Sequence, residues 1–487
     1  MLAVRDVTPK PRPRRAKLNS SSRTKTSRAK RKKSKKRSSV KQMQRKIESI
    51  IAADQLLLLK LFDVAAIESI LNGCSDQVKR RHRVYTVPTT LSLFVQQVLM
   101  KGRGCKEVVT LLNQKRKEQQ LREVSTNTTS YCDARARIPL SLIEKLFDQT
   151  ARIASEGLTR DQLWCQRRVL LVDGYVVNAP DTPENQNVYP QPNSQQPGLG
   201  FSQIRGCAAI CLATGVVTQV EYGPVEGKKT GEATLFRQML PNFKRGDLIV
   251  ADSNFECYRD LATLRAMGVD MVCDKNGSRE SPFQGRCRVI EETFKELPRP
   301  GFDKSRFTKE EWEALPATLT VRIIRCKVGG RRSELTLVTT LLDVEAFPAT
   351  KIVSLYKLRW ECELDIRSMK SVMGMAWLSC HTPAMLNREL MVYTLAYNII
   401  RLTMCDAAKV CGQQPRDLSF KNAKDSWLQF GQDGREANDY AWLLWSIVHA
   451  PLRKRPGRNE PRKIKRRSSK YEKMKLPRAQ EKAALSA

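Results

Sequence analysis

Histidine is almost absent from this chain, with three in 487 residues. The fourteen cysteines contain no C-x-x-C pair, so neither the histidines nor the cysteines supply a zinc module. Scattered cysteines without a framework fit a reducing compartment, where they behave as small hydrophobes. Long apolar runs are missing too. The longest, residues 390–400, is bounded by Arg388, Glu389 and Arg401 and contains Asn398, too short and too polar at its edges to span a bilayer. The basic amino terminus has no apolar segment of the kind a secretion signal needs. No membrane partner is expected.

Acidic residues are in short supply: 50 Asp plus Glu face 86 Lys plus Arg, a net charge of +36. An excess of that size points to a polyanionic partner. It is concentrated at the ends. Residues 1–46 carry +18 and residues 451–487 carry +11, leaving +7 for the body between them. Both ends are rich in Arg, Lys, Ser and Pro and poor in aliphatic residues, so they are expected to be disordered basic tails.

Residues 47–157 read as helical. Ile50, Ile51, Leu56, Leu57, Leu59, Leu61 and Phe62 make one apolar stripe, Pro88-Thr89-Thr90 offers a helix start, and residues 140–154 are amphipathic. Lys79, Arg80, Arg81, Lys115, Arg116, Arg122, Arg135 and Arg137 are interleaved. Two readings stay open here: a small helical domain with solvated charges, or a helical module seated on DNA phosphates.

The pattern changes at Arg168. Residues 169–172 are a continuous aliphatic run, expected of a strand buried on both faces and ending in Asp173-Gly174. Residues 205–224 suggest a hairpin around Thr214-Gly215, residues 231–240 a helix, and residues 248–251 a second buried strand ending in Asp252. A helix over 258–267 and a strand over 269–273 follow. Residues 318–328 and 334–342 read as a hairpin through Gly329-Gly330, and the chain is helical from 350 to about 450. The order describes an α/β core with a β-rich insertion before its last helical part.

Two buried strands that each end in a carboxylate are informative, because a buried carboxylate must be paired, hydrogen-bonded or metal-bound. Either Asp alone could simply cap a turn. A third acid comes from the helix expected over 350–373. There Tyr356, Arg359, Glu363 and Lys370 fall within an arc of roughly 60°, at about 100° per residue. Leu355, Leu358, Cys362, Ile366, Met369 and Met373 take the neighbouring arc and are expected to anchor the helix. Spacing alone also permits a salt-bridged surface helix, with Arg359 and Glu363 at i,i+4.

Tyr356-x2-Arg359-x3-Glu363-x6-Lys370, with Trp360 directly after the Arg, resembles the Tyr-Arg-Glu-Lys signature of DDE transposases in the family named after insertion sequence four. The segments around Asp173, with Asp181-Thr182-Pro183-Glu184-Asn185 after it, and around Asp252 resemble those of the family's two catalytic Asp, and residues 395–401 resemble a later family segment. Where relatives often place a basic residue after the second Asp, this chain has Ser253-Asn254.

The resemblance implies an α/β ribonuclease H-like catalytic core with a β-rich insertion. A helical DNA-binding domain precedes that core, and disordered basic tails flank the whole. The expected boundaries are 1–46 tail, 47–157 helical DNA-binding domain, 158–276 first part of the core, 277–349 insertion, 350–450 second part with the catalytic helix, and 451–487 tail. It further implies that Asp173, Asp252 and Glu363 are catalytic and bind two Mg²⁺ ions, with Mn²⁺ as a substitute. Tyr356, Arg359, Trp360 and Lys370 would contact DNA. Hard divalent ions suit carboxylate oxygens and not thiols. The implied partners are double-stranded DNA, as transposon inverted repeats and target, and a second copy in a homodimeric synaptic complex. The implied setting is a bacterial cytoplasm, on DNA. Two other readings are weighed against this transposase: a catalytically inactive, transposase-derived DNA-binding protein, and an RNA-binding protein with basic tails. The second explains the composition but not the carboxylates.

Overall fold

The structure is a computed structural model. It describes residues 84–100, 104–228, 230–275, 287–304, 307–328, 334–432 and 440–450, with residue 69 and a few positions near the C terminus. The amino-terminal basic tail, residues 47–83 apart from residue 69, the turn at Gly329-Gly330 and nearly all of the carboxy-terminal tail lie outside the described residues.

Four helices come first: α1 (Val87–Leu99), α2 (Cys105–Glu118), α3 (Thr129–Ala136) and α4 (Leu140–Glu156). The cap of α1 is Thr86, whose hydroxyl accepts from the Thr89 amide at 3.3 Å, so Pro88 sits inside the first turn rather than before it. Proline tolerates that place because its missing N–H would have no intrahelical partner there.

A single eight-stranded sheet follows. Its strands are β1 (Val169–Ala179), β2 (Ser202–Cys211), β3 (Val217–Pro224), β4 (Leu248–Ala251), β5 (Asp270–Asp274), β6 (Cys287–Pro298), β7 (Thr318–Val328) and β8 (Glu334–Thr339). The order is β3-β2-β1-β4-β5-β8-β7-β6. β1, β4 and β5 are parallel, and β2, β3 and β8 run antiparallel to their neighbours. The helices between and after the strands are α5 (Pro183–Val188), α6 (Glu232–Met239), α7 (Tyr258–Ala266), α8 (Lys309–Glu313), α9 (Ala349–Lys357), α10 (Trp360–Arg367), α11 (Pro383–Cys411), α12 (Phe420–Gln432) and α13 (Tyr440–Val448).

Three findings differ from the sequence reading. First, β1 does not end at Asp173. β2 keeps pairing with it from Leu170 to Ala179, whereas β4 pairs only with Val169–Leu171. Asp173 therefore lies in mid-strand, where the parallel neighbour stops. Second, the insertion continues the same sheet through β8, β7 and the edge strand β6. Third, the segment expected as one helix is interrupted at Leu358–Arg359, where amides bond three residues back: Leu358 to Leu355 and Arg359 to Tyr356. That tightening turns Leu358 outward to 44% exposure, while the other five anchors are buried as expected.

One face of the sheet packs under α6 and α7. Leu170, Val172 and Ile249 meet Phe236, Met239 and Leu264 there, and all six are fully buried. Each such side chain contributes about 1.5–3 kcal/mol of hydrophobic burial. α10 packs on β1, with Cys362 Sγ 3.8 Å from the Leu171 carbonyl oxygen. α11 ties the amino-terminal helices to the core. Asn398 donates to the Thr150 hydroxyl at 2.7 Å and the Val217 carbonyl at 2.8 Å, and accepts from the Val217 amide at 2.9 Å. Gly215, at the β2–β3 turn, has φ of 74°, and a Cβ there would lie 2.9 Å from the Arg401 guanidinium. Only glycine fits that turn without strain.

Candidate active site

The end of β4 creates the opening. Past Leu171 the β4 side of β1 stays unpaired until Asn178, where Trp377 bridges it again, and Asp252, leaving β4 directly after Ala251, stands close enough for its charge to act on Asp173. α10 delivers Glu363 from above. Arg359, one residue before α10, joins two of the acids: its Nη2 donates to Glu363 Oε1 at 2.8 Å, and its Nη1 stands 3.6 Å from Asp173 Oδ2. Asp173 and Glu363 are 17% and 34% exposed, so a ligand from solvent can reach both.

The electrostatics are under-compensated. The Asp173 carboxyl is pushed up to about 7, mainly by burial. Arg359 and the Gly174 amide oppose the shift, and the charges of Asp252 and Glu363 add to it. The amide donates to Asp173 Oδ1 at 2.8 Å. Such a site gains from added positive charge. Asp252 is partly used locally: its Oδ1 accepts from the Asn254 amide at 2.9 Å and caps the turn Ser253–Phe255. Ser253-Asn254 thus forms a turn capped by Asp252 itself.

The other signature residues lie close by. Tyr356 is 5% exposed at the end of α9 and sits beside Arg359, and burial holds its phenol ionisation far above the ordinary range. Trp360 begins α10 and is half-buried. Lys370, on the wide turn that ends this helical segment, is half-buried, which lowers its ammonium pKa.

Sequence reasoning missed what holds Glu363 in place. Two residues further on, Asp365 is buried between two guanidinium groups: Oδ1 accepts from Arg401, and Oδ2 from Arg416 at 2.9 Å. Arg401 also donates to the Tyr397 hydroxyl at 2.8 Å, which itself donates to the Gly215 carbonyl at 3.0 Å. The triad's helix is thereby pinned to α11 and to the β2–β3 turn. These groups are 36 and 51 residues apart in sequence, so no local pattern could reveal them.

Among the described residues, no three His, Cys, Asp or Glu side chains are gathered closely enough to hold a metal ion. Arg359 supplies the positive charge between Asp173 and Glu363 instead. The donor chemistry still fits a hard divalent cation: oxygen-only carboxylates, one of them raised by burial and by its acidic neighbours. No described helix is long and apolar enough to cross a membrane.

Residues 164–399 match the family model described as Transposase DDE domain. All three acids and all four signature partners fall inside that span. The chain is also similar to the transposase InsG for insertion sequence element IS4 of Escherichia coli (strain K12). Identity is 26% over 354 residues, which cover 69% of this chain and 76% of that relative. With Asp173, Asp252 and Glu363 all inside the matched span, residues 164–399 carry a transposase DDE domain, and the chain is similar to a transposase of insertion sequence element IS4.

Proposed function

We propose that this protein cleaves DNA at the ends of an insertion sequence and joins the freed 3′-hydroxyl to target DNA. The observation that carries the reading is the sharing of the Arg359 guanidinium by Asp173 and Glu363, with the charge of Asp252 also acting on Asp173, inside the span matched as a transposase DDE domain.

Asp173, Asp252 and Glu363 would hold the divalent ions, two Mg²⁺ with Mn²⁺ as a substitute. When bound, such ions lower the barrier of in-line phosphodiester displacement by activating the attacking oxygen and stabilising the leaving one. The chain's own groups do the rest. Arg359, a planar fork engaged by two carboxylates, is suited to grip a DNA phosphate in a two-pronged contact. Lys370 offers a point charge further along the strand. Trp360 shapes the surface between them, and Tyr356 buttresses Arg359 from below. The network around Asp365 keeps Glu363 from drifting as the site opens.

The amino-terminal helical region, with Arg122 exposed and Lys115 and Arg116 half-buried beside it, is assigned to the terminal repeats. The basic tails are assigned to non-specific phosphate contact. A second copy of the chain completes the synaptic complex in this reading.

One observation favours a second reading, a DNA-binding protein without catalysis: Asp252 already caps its own turn and Arg359 already bridges the other two acids. The deciding experiment incubates the full chain with a labelled duplex bearing the element's ends, in Mg²⁺ and in EDTA. Mg²⁺-dependent nicking at the ends supports the transposase. Specific binding without nicking in either Mg²⁺ or Mn²⁺ supports the second reading.

A further inference from the structure

A fourth acid approaches the same opening from the other face of the sheet. Side chains along β1 alternate in direction. Leu170 and Val172 point into the core under α6, so Gly174 faces α6 as well, while Asp173 faces α10. The first residue of α6 is Glu232, and its carboxylate lies directly over Gly174. A Cβ at position 174 would come 2.3 Å from Glu232 Cδ and 2.5 Å from Oε1. Any side chain at 174 would evict that carboxylate, so the glycine is a cradle for it.

Glu232 is held on only one side. Arg205 on β2 reaches its Oε1 through Nη1 at 3.2 Å, a single long contact rather than a two-pronged pair. The buried Nε of Arg205 has no hydrogen-bond partner. Beneath both lies Cys207, which pairs in register with Gly174. Burial drives its thiol pKa up, and Glu232, Asp173 and Asp252 each add to the shift, in that order. Three carboxylates from α6, β1 and the end of β4 therefore surround one strand pair, at the place where β4 no longer fills the sheet.

We propose that Glu232 is a fourth carboxylate of the active site, presented across Gly174 from the face opposite Glu363, and that it helps to hold a divalent cation there. This rests on the reading of Asp173, Asp252 and Glu363 as cation ligands. Glu232 sits at a helix N-terminus, where the backbone dipole favours negative charge. Its neighbour Arg205 neutralises it until a cation arrives.

The test is Mn²⁺ binding to the full chain without DNA, followed by the electron paramagnetic resonance of free Mn²⁺. Glu232→Gln, Gly174→Ala, Glu363→Gln, Arg205→Gln and Glu221→Gln are each compared with the native protein, and melting in EDTA checks that each variant is folded. Glu232→Gln and Gly174→Ala should weaken Mn²⁺ binding about tenfold or more, because loss of even an outer-shell partner costs that much. Arg205→Gln and Glu221→Gln should leave it unchanged or tighter. If Glu363→Gln weakens binding and Glu232→Gln does not, the fourth carboxylate is wrong while the triad reading stands. If neither weakens it, the triad's cation role fails first and this inference falls with it. Equal losses in Glu232→Gln and Arg205→Gln would make Glu232 a mere anchor for the arginine. An equal loss in Glu221→Gln would reduce the effect to general charge.

Discussion

Glu363 and Asp365 stand two residues apart on α10 and live in opposite surroundings. Asp365 is fully buried and meets two guanidinium groups that satisfy both its oxygens. Glu363 is a third exposed and shares one guanidinium with Asp173, in a site whose acids repel each other. A carboxylate with complete partners holds structure together, and its loss strands buried cations. A carboxylate short of positive charge is poised to receive it. Two residues thus separate an acid with complete partners from the acid proposed to serve the chemistry.

The widest expected separation between the two is in activity. Asp173→Asn and Asp252→Asn should each reduce end cleavage roughly a thousandfold or more, and the double variant should be little worse, because residues acting as a unit are not additive. Gel-shift affinity for the same duplex should stay near native. Full additivity in the double variant would mean that the two Asp act independently.

Next in size is the structural half. Asp365→Asn should destabilise the protein by about 3–5 kcal/mol, read as a shift in urea midpoint, since it leaves Arg401 and Arg416 facing a neutral partner in a buried setting. Loss of cleavage in this variant should track loss of fold. An Asp365→Asn protein with native stability and no activity would erase the contrast.

A smaller effect of opposite sign is expected at Asp173. Its folded pKa of about 7 lies above the ordinary value of 3.8, so between these pH values the folded state binds a proton that the unfolded chain has released. Stability then falls as pH rises through that window, and the penalty is complete above it. In EDTA, Asp173→Asn should melt higher than native at pH 8 and close to native at pH 4. A constant difference at both pH values would remove the burial argument. The smallest effect is expected at Gly215→Ala. A left-handed φ and the close Arg401 guanidinium should cost roughly 1–2 kcal/mol, visible as a lower melting midpoint with cleavage intact at room temperature.

What the chain discloses before folding follows from the range of each interaction. The aliphatic runs before Asp173 and Asp252 and the spacing from Tyr356 to Lys370 are local patterns, and the strands and helices they suggest are present. The arc drawn for an unbroken helix shifts because three-residue bonds at Leu358 and Arg359 tighten it, and nothing in the residue types announces that. β6 escaped notice because both its faces are largely exposed, so it carries no apolar alternation. Glu232 reads only as an acid in a helix's first turn. Its place over Gly174 depends on how α6 lies across β1, which is tertiary. The clamp on Asp365 is likewise beyond local reach.

The most direct measurement is single-turnover cleavage of a labelled end-bearing duplex by Glu363→Gln in Mg²⁺, at a protein concentration that saturates the DNA, with the urea midpoint taken on the same preparation. The expected result is native binding, a native midpoint, and cleavage lower by roughly a thousandfold or more. A Glu363→Gln protein that binds, folds and cuts at a near-native rate would contradict the assignment of Glu363, and with it the division of α10 into a chemical and a structural half.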